Sequence, residues 1–419
     1  MSPGFVLTAG AAYVLLCRNL LRLPGRARDP LFALLNVVVV FYFFFWPGGN
    51  QHAVLYGLAW VLYLGVVALQ YGALRSWAGG TPKQAWTAFL VPIAALLFSR
   101  YAPLVPLVHA LNQPTGELLR RHPELGLSRV FVGLSYLTFR SSYLVLEVRN
   151  GVVPRPNFWQ YVGFVFFAPT LSVGPINRYS EHQRAFRPGE QPPIPIQTAF
   201  LRMLVGAVKY QFLGPILNQF TYTGLMLDGH PHQWCDLPIA AVAYYGYIYC
   251  NFSGFCDMAI GAAGLIGISV AENFANPFGA RNSKEFWNRW HMTLSLYMRD
   301  VLFSPLSRAL VRLFGGSHVN HAIAVTIFVV FVLIGIWHGI GWHFAAFGVS
   351  QAMAVVANHY YTLQLKKWLG RDRFAAYNRS PLIRALAVTT TFAFTSASLF
   401  LFANDGSAME AIFRTMSSR

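Results

Sequence analysis

The sequence predicts an all-α, polytopic membrane protein with about 11–12 transmembrane or re-entrant helices. Three observations carry this. Of 419 residues, 55% are apolar, 16% aromatic and only 11% charged, and the mean hydropathy is +0.43. That is too little charge to cover a water-soluble globule of this size. Apolar runs of about 20 residues recur along the chain, the length at which a helix crosses a hydrocarbon core. The net charge of +17, from 32 basic and 15 acidic residues, falls largely in short gaps between those runs. Loops rich in Lys and Arg stay cytoplasmic and face anionic headgroups. The basic residues therefore point to membrane lipids and topology, and no nucleic acid is expected as a partner.

Taken in order, the candidate spans lie roughly at 3–20, 30–47, 52–73, 85–110, 128–148, 158–175, 197–227, 236–270, 290–314, 322–340, 341–364 and 382–403. The opening "MSPGFVLTAGAAYVLLCRNLLRLPGRAR" carries its basic residues, Arg18, Arg22, Arg26 and Arg28, after the apolar run. It reads as a first span with its N-terminus outside, not as a cleavable signal. "LNQPTGELLRRHPELGLSR" suits an amphipathic surface helix. "RYSEHQRAFRPGEQPPIPIQ" has the charge and proline density of an exposed loop, and "LKKWLGRDRFAAYNRSP" reads as another basic loop. No repeat, low-complexity tract or appended soluble domain interrupts the chain. Residues 1–419 read as a single membrane domain with a motif-bearing core at about 130–345. The four cysteines form no C-x-x-C pair, so neither a zinc ribbon nor a redox motif is signalled.

Three central segments are odd as ordinary spans. "FFAPTLSVGPINRY" breaks an apolar run with Pro169, Gly174 and Pro175. "YIYCNFSGFCDMAIG" places Asn251 and Asp257 in apolar sequence. "KEFWNRWHMTLSLYMRD" mixes charge with aromatics. Broken helices and polar groups at membrane depth need protein or a water-filled cavity around them.

"FVLIGIWHGIGWHF" puts His338 into a stretch with no Asp, Glu, Lys or Arg between Leu313 and Leu365. An imidazole there is either a buried group bonded to a carbonyl or a proton-transfer group. Gly335 and Gly339, four apart, fit close helix packing or a bare wall for a substrate chain. In the preceding motif, Trp287, His291 and Ser295 fall at helical spacing, four residues apart. An interfacial helix with a Trp belt explains the Trp and Arg residues there, but not His291. Arg178 of "GPINRY" suits a span terminus with a snorkelling side chain, and Asn251, Ser253 and Asp257 suit interhelical pairing. His343, five residues past His338, is turned to another helix face. No H-E-x-x-H, Walker loop or G-x-S-x-G is present, which leaves little basis for a metal or nucleotide site.

Five stretches taken in order resemble the membrane-bound O-acyltransferase (MBOAT) family: "GLSYLTFRSSYLVLEVRNG", "PTLSVGPINRY", "YIYCNFSGFCDMAIGAAGLIGISVAENFANPF", "KEFWNRWHMTLSLYMRD" and "IGIWHG". The bacterial polysaccharide-modifying branch fits best. "FWNRWHMTLSLYMRD" and "GPINRY" are most similar to teichoic-acid D-alanyltransferase membrane subunits. "DMAIG" looks more like the alginate and cellulose O-acetyltransferase subunits. Many relatives carry Asp where this chain has Asn251.

The resemblance implies a ring of helices around a central funnel or tunnel. It implies His338 as general base and His291 as the second catalytic position, orienting the acceptor or donating to the oxyanion. Trp337, Gly339, Trp287, Asn288, Ser295, Asn251, Asp257 and Arg178 are the expected substrate- or tunnel-lining residues. The expected reaction passes an acyl group, D-alanyl first and acetyl second, to hydroxyls of a cell-envelope polymer. No cofactor or metal is expected on this chain. The donor would be a phosphopantetheine thioester on an acyl carrier protein at the cytoplasmic side, and an extracytoplasmic partner protein would finish the transfer. The implied location is the bacterial plasma (inner) membrane, multi-pass. The reading from another class is a lipid or solute transporter, whose coupling carboxylates would be Glu147 and Asp257.

Overall fold

The computed structural model describes residues 3–42, 53–101, 133–187, 189, 194–339 and 341–417. Among these residues the chain is helical, with no strand beyond one isolated bridge between Phe274 and Trp290. By contacts it divides into two units, Met1–Leu204 with Cys256–Ala271, and Val205–Phe255 with Glu272–Arg419.

The first unit holds α1 (Pro3–Leu20), α2 (Gly25–Val40), α3 (Ala53–Trp77), α4 (Pro82–Tyr101), α5 (Leu134–Arg149), α6 (Phe158–Val165), the single turn α7 (Tyr179–His182) and most of α8 (Ile196–Val208). Tyr13, Cys17, Phe32, Phe167, Ile260 and Ile266 meet in one buried cluster. α6 starts on a capping box, in which the Asn157 side chain accepts from Gln160 N and the Gln160 side chain from Asn157 N. Its other end is satisfied by a neighbour. A helix leaves its last carbonyls unpaired. Fully buried Arg140 of α5 donates from Nη1 to the carbonyls of Phe164 (3.3 Å), Val165 (3.2 Å) and Phe167 (3.4 Å), and from Nη2 to Thr170 Oγ1. Arg140 thus terminates α6 with a cation at the negative end of its dipole.

The second unit continues with α9 (Gly214–Asn218), α10 (Asp236–Ile266, up to Phe255), α11 (Ser283–Trp287), α12 (Met292–Met298), α13 (Ser304–Phe314), α14 (Val319–His338), α15 (Trp342–Arg379), α16 (Pro381–Ala403) and α17 (Gly406–Ser417). Its aromatic core gathers Tyr245, Phe286, Trp287, Trp290, Phe347 and Leu399, with Phe252, Phe274, Phe331 and Phe402 packed around them. α14 and α15 approach at two glycines. A Cβ added to Gly335 would stand 2.9 Å from Gly348 Cα, so only glycine lets these backbones touch.

Three helical stretches among the described residues, Ile196–Met226, Val319–His338 and Pro381–Ala403, are long and apolar enough to cross a membrane. The spans expected at 3–20, 52–73 and 236–270 are also continuous helices, α1, α3 and α10, but two others are broken. The one expected at 158–175 becomes the eight-residue α6 and a 3-10 turn at Ala168–Thr170, which carries Pro169. The one expected at 290–314 becomes α12, a π-helical turn at Arg299–Phe303, and α13.

Two loop expectations are corrected. "LKKWLGRDRFAAYN" is helical: α15 runs to Arg379 with a kink at Gly370, φ 69°. Leu, Lys, Arg and Ala are strong helix formers, and no proline intervenes before Pro381. "RYSEHQRAF" is not exposed loop but α7 and a 3-10 turn, with Tyr179 and His182 buried. The amphipathic helix expected at "LNQPTGELLRRHPELGLSR" lies outside the described residues.

Candidate active site

His338 is the last residue of α14, not a residue in the middle of a helix. Gly339 follows in an extended conformation, its N–H bonded to Ile336 O at 3.2 Å. The His338 ring is half-buried among aromatics, 4.7 Å from Trp337, 4.9 Å from Phe402 edge-to-face and 6.5 Å from Phe344 between centroids. His343 is not on the same helix. It belongs to the first turn of α15, and its Nδ1 lies 3.0 Å from Leu401 O, so its role is to tie α15 to the end of α16.

His291 is buried and sits at φ 46°, ψ 51°, the left-handed region that His enters more often than most residues. The segment 273–276 causes this. Ala275 N donates to Arg289 O (3.0 Å) and Met292 N to Asn273 O (3.0 Å), a strand-like pairing that turns the chain between α11 and α12. The expectation that Trp287, His291 and Ser295 share one helical face is therefore wrong. Trp287 ends α11 and His291 caps α12, although Ser295 Oγ still donates to Trp287 O at 2.9 Å.

Asn273 was not singled out from sequence, and it orients His291. Three groups converge on its Oδ1: Thr293 N at 3.1 Å, Thr293 Oγ1 at 2.9 Å and His291 Nδ1 at 3.1 Å. The Thr293 backbone N–H can only donate, so the atom it meets is the amide oxygen. His291 Nδ1 must then carry a proton, and the ring keeps its lone pair on Nε2. A neutral His291 in this tautomer accepts a hydrogen bond at Nε2 and offers no donor there. The sequence offered little sign of this pair, because the two residues stand 18 positions apart and only the 273–276 turn brings them into contact. His291 and His338 lie near enough to interact electrostatically. Phe252, 4.8 Å edge-to-face from His291, and Phe402, against His338, both belong to the same aromatic core.

Trp287 is held by a polar chain. Its Nε1 donates to Gln351 Oε1 (3.2 Å), and Gln351 Nε2 donates to Ser398 Oγ (2.8 Å). Trp287, Asn288 and Ser295 line a cavity of about 530 Å³, within the usual range for small-molecule sites. Its walls are mostly apolar (Met292, Leu296, Ile327, Phe331, Ile334), with Lys284, Arg299 and His359 as basic members. His291 and His338 do not line it. Asn251 is half-buried in α10, next to Phe252.

Two expected site residues belong to the first unit. Asp257 accepts from Arg202, with both guanidinium contacts at 3.0 Å. Arg178 lies over the Tyr143 ring at 4.8 Å. Near it Glu147 accepts from the N–H groups of Tyr179 (3.0 Å) and Ser180 (3.3 Å), the start of α7. Both carboxylates are thus engaged in holding the fold. Among the described residues, no group of three or more His, Cys, Asp or Glu is placed to hold a metal ion.

The fold is that of a helical membrane protein. Residues 52–403 match the model of the membrane-bound O-acyltransferase family, MBOAT, and the chain belongs to that family. It is an acyltransferase and a multi-pass protein of the bacterial plasma membrane. Similar proteins include the teichoic acid D-alanyltransferases of Streptococcus thermophilus and Bacillus subtilis. The first is 33% identical over 289 residues, 65% of this chain and 68% of the relative. The second is 29% identical over 280 residues, with the same two shares, 65% and 68%. The probable alginate O-acetylase of Pseudomonas aeruginosa is 26% identical over 330 residues, 77% of this chain and 59% of the relative.

Proposed function

We propose that this acyltransferase passes D-alanyl from a carrier-protein thioester, delivered at the cytoplasmic side, toward hydroxyls of a cell-envelope polymer outside. The observation that carries the reading is the pair of imidazoles in one aromatic core, one of them fixed in a single tautomer by Asn273. His338 is the general base. The acceptor hydroxyl gives its proton to the imidazole as its oxygen bonds the thioester carbonyl carbon. The C–S bond then breaks, and the imidazolium returns the proton to the departing sulfur. Such a placed base contributes about 10²–10⁴-fold in rate. His291 Nε2 accepts the acceptor hydroxyl's hydrogen bond and so orients it; its tautomer does not suit donation to an oxyanion.

Trp287, Asn288, Ser295, Trp337 and Gly339 border the path, and the apolar cavity beside Trp287 suits an extended arm. Asn251, Asp257 and Arg178 keep supporting roles. Partner proteins are a carrier protein inside and an acyl-transferring protein outside. The family match runs across both compact units, which supports treating them as one membrane domain.

Acetyl transfer is the second reading, favoured by the similarity to an alginate O-acetylase. A transporter is disfavoured, because Glu147 and Asp257 already hold backbone N–H groups and Arg202. The test is mild alkaline release of ester-linked groups from envelopes carrying wild-type protein or His338→Ala. D-alanine present with the wild type and absent with a folded, membrane-inserted variant supports the proposal. Full ester formation by His338→Ala refutes the mechanism, and acetate in place of D-alanine refutes the acyl group.

A further inference from the structure

The first unit contains a second cavity, of about 550 Å³, outside the proposed chemistry. Arg18, Arg22, Arg28 and Arg187 line it, together with Leu21, Leu23, Ala185, Ile266 and two glycines. Among the described residues no carboxylate lines it. Asp29, next to Arg28, is engaged by Arg28 Nε (3.0 Å) and Gln160 Nε2 (2.9 Å); Glu190, next to Gly189, lies outside the described residues.

Two of the four arginines are held in place. Arg18 donates to Leu265 O at 3.3 Å. Arg28 donates to Phe186 O at 2.7 Å and lies 5.0 Å over the Phe186 ring. Arg22 and Arg187 are exposed and add charge at the rim. Arg28 is paired with Asp29; Arg18, Arg22 and Arg187 bring three further positive charges to the same cavity, and an anion seated among them relieves their repulsion. The planar fork of arginine matches a phosphate.

We propose that this cavity binds the phosphate of an anionic glycerophospholipid. The source is a lipid and not a free phosphate because the charged cavity sits at the foot of apolar surface. Leu15 and Leu16 of α1 and Leu31, Leu34 and Val38 of α2 are all exposed, and Leu23 at the cavity is 39% exposed. One lipid can place its phosphate among the arginines and lay its chains along these helices. Arg18 lies in the last turn of α1, Arg22 follows that helix and Arg28 lies in the first turn of α2, a helix-end setting where basic pockets meet headgroups.

The probe is phosphatidylglycerol. Full-length protein is placed in nanodiscs of phosphatidylcholine with or without phosphatidylglycerol, and lipid retention and Tm are measured at low and high salt. Phosphatidylglycerol is expected to be enriched around the wild type and to raise Tm, with the gain reduced by salt. In Arg22→Gln/Arg187→Gln the enrichment should fall at least tenfold; both side chains are exposed at the rim, so their loss leaves the packing intact. Arg26→Gln, exposed and outside the cavity, should keep it. An unchanged lipid response in the double variant overturns the proposal. So does an equal gain from inorganic phosphate or soluble glycerol phosphate in phosphatidylcholine discs, which would make the site one for a free phosphate.

Discussion

Replacing Gly335 by Ala should cost catalysis more than it costs folding. A Cβ at Gly335 would stand 2.9 Å from Gly348 Cα and 3.0 Å from Gly348 N, and would press harder still on the Phe344 carbonyl. The reciprocal Cβ at Gly348 would stand 2.6 Å from Phe331 O and 3.1 Å from Gly335 Cα. Non-bonded carbons rest at about 3.5–4.0 Å, so α14 and α15 must part by roughly 0.5–1 Å. Overpacking of this kind costs about 1–3 kcal/mol. His338 is the residue that feels it, because it ends α14 less than one turn beyond Gly335 and Phe344 stacks beside its ring. A displacement of about 1 Å at a reacting group costs on the order of 10²-fold in rate. The assay pairs Tm in detergent with initial rates of ester formation in proteoliposomes. Gly335→Ala should lose about 10²-fold in kcat with a modest fall in Tm. Gly348→Ala should do the same, and the double variant should lose less than the sum, because both substitutions relieve themselves by one helix separation. A Gly335→Ala protein with wild-type rate and wild-type Tm would refute the reasoning.

Three further outcomes are expected. Asn273→Leu should lower kcat by releasing the His291 tautomer and cost about 1–3 kcal/mol by removing the acceptor shared by Thr293 and His291, while Asn273→Asp, which keeps an acceptor, should retain more of the rate; equal rates in the two variants would remove Asn273 from the site. His182 lies outside the expected spans, boxed by Phe32, Phe164, Phe167 and Phe186, and burial, with the Arg140 charge second, pulls its pKa down to about 3. The folded ring stays neutral while the unfolded chain takes up a proton below about pH 6.5, so stability falls on acidification, by about 2 kcal/mol between pH 7 and pH 5; the loss of Tm over that interval should be smaller in His182→Phe, and an identical slope would contradict it. Asp257→Asn should cost about 1–3 kcal/mol by removing the negative charge opposite the Arg202 guanidinium, with ester formation per folded molecule unchanged; a rate loss in fully folded Asp257→Asn would move Asp257 into the chemistry.

The helical membrane class was legible because composition and apolar run length report the solvent directly. His338 was legible because its Trp-His pair sits between Gly335 and Gly339 in an apolar run, within some fifty residues that hold no Asp, Glu, Lys or Arg. What misled was periodicity. Trp287, His291 and Ser295 keep a four-residue spacing, yet the pairing of 273–275 with 289–292 breaks the helix between them. That pairing is long-range, and no local propensity announces it. The same holds for Asn273, whose contact with His291 exists only after the turn has formed. The boundary between His338 and His343 was legible, since the expected spans end at 340 and restart at 341, and the extended Gly339 supplies the break. α15 shows the opposite error: charge suggested loop, where residue-by-residue helix propensity alone would have indicated helix.

Arg140 carries a consequence for how the chain is made. Synthesis delivers α5 to the bilayer before α6 exists, and a lone arginine at the centre of an inserting helix costs about 2.5–3.5 kcal/mol. Its acceptors, the carbonyls of Phe164, Val165 and Phe167, emerge only some 25 residues later. α5 and α6 therefore enter the bilayer as a hairpin rather than one after the other, so a ribosome stalled between them would leave α5 poorly inserted, and extension past Thr170 would rescue it.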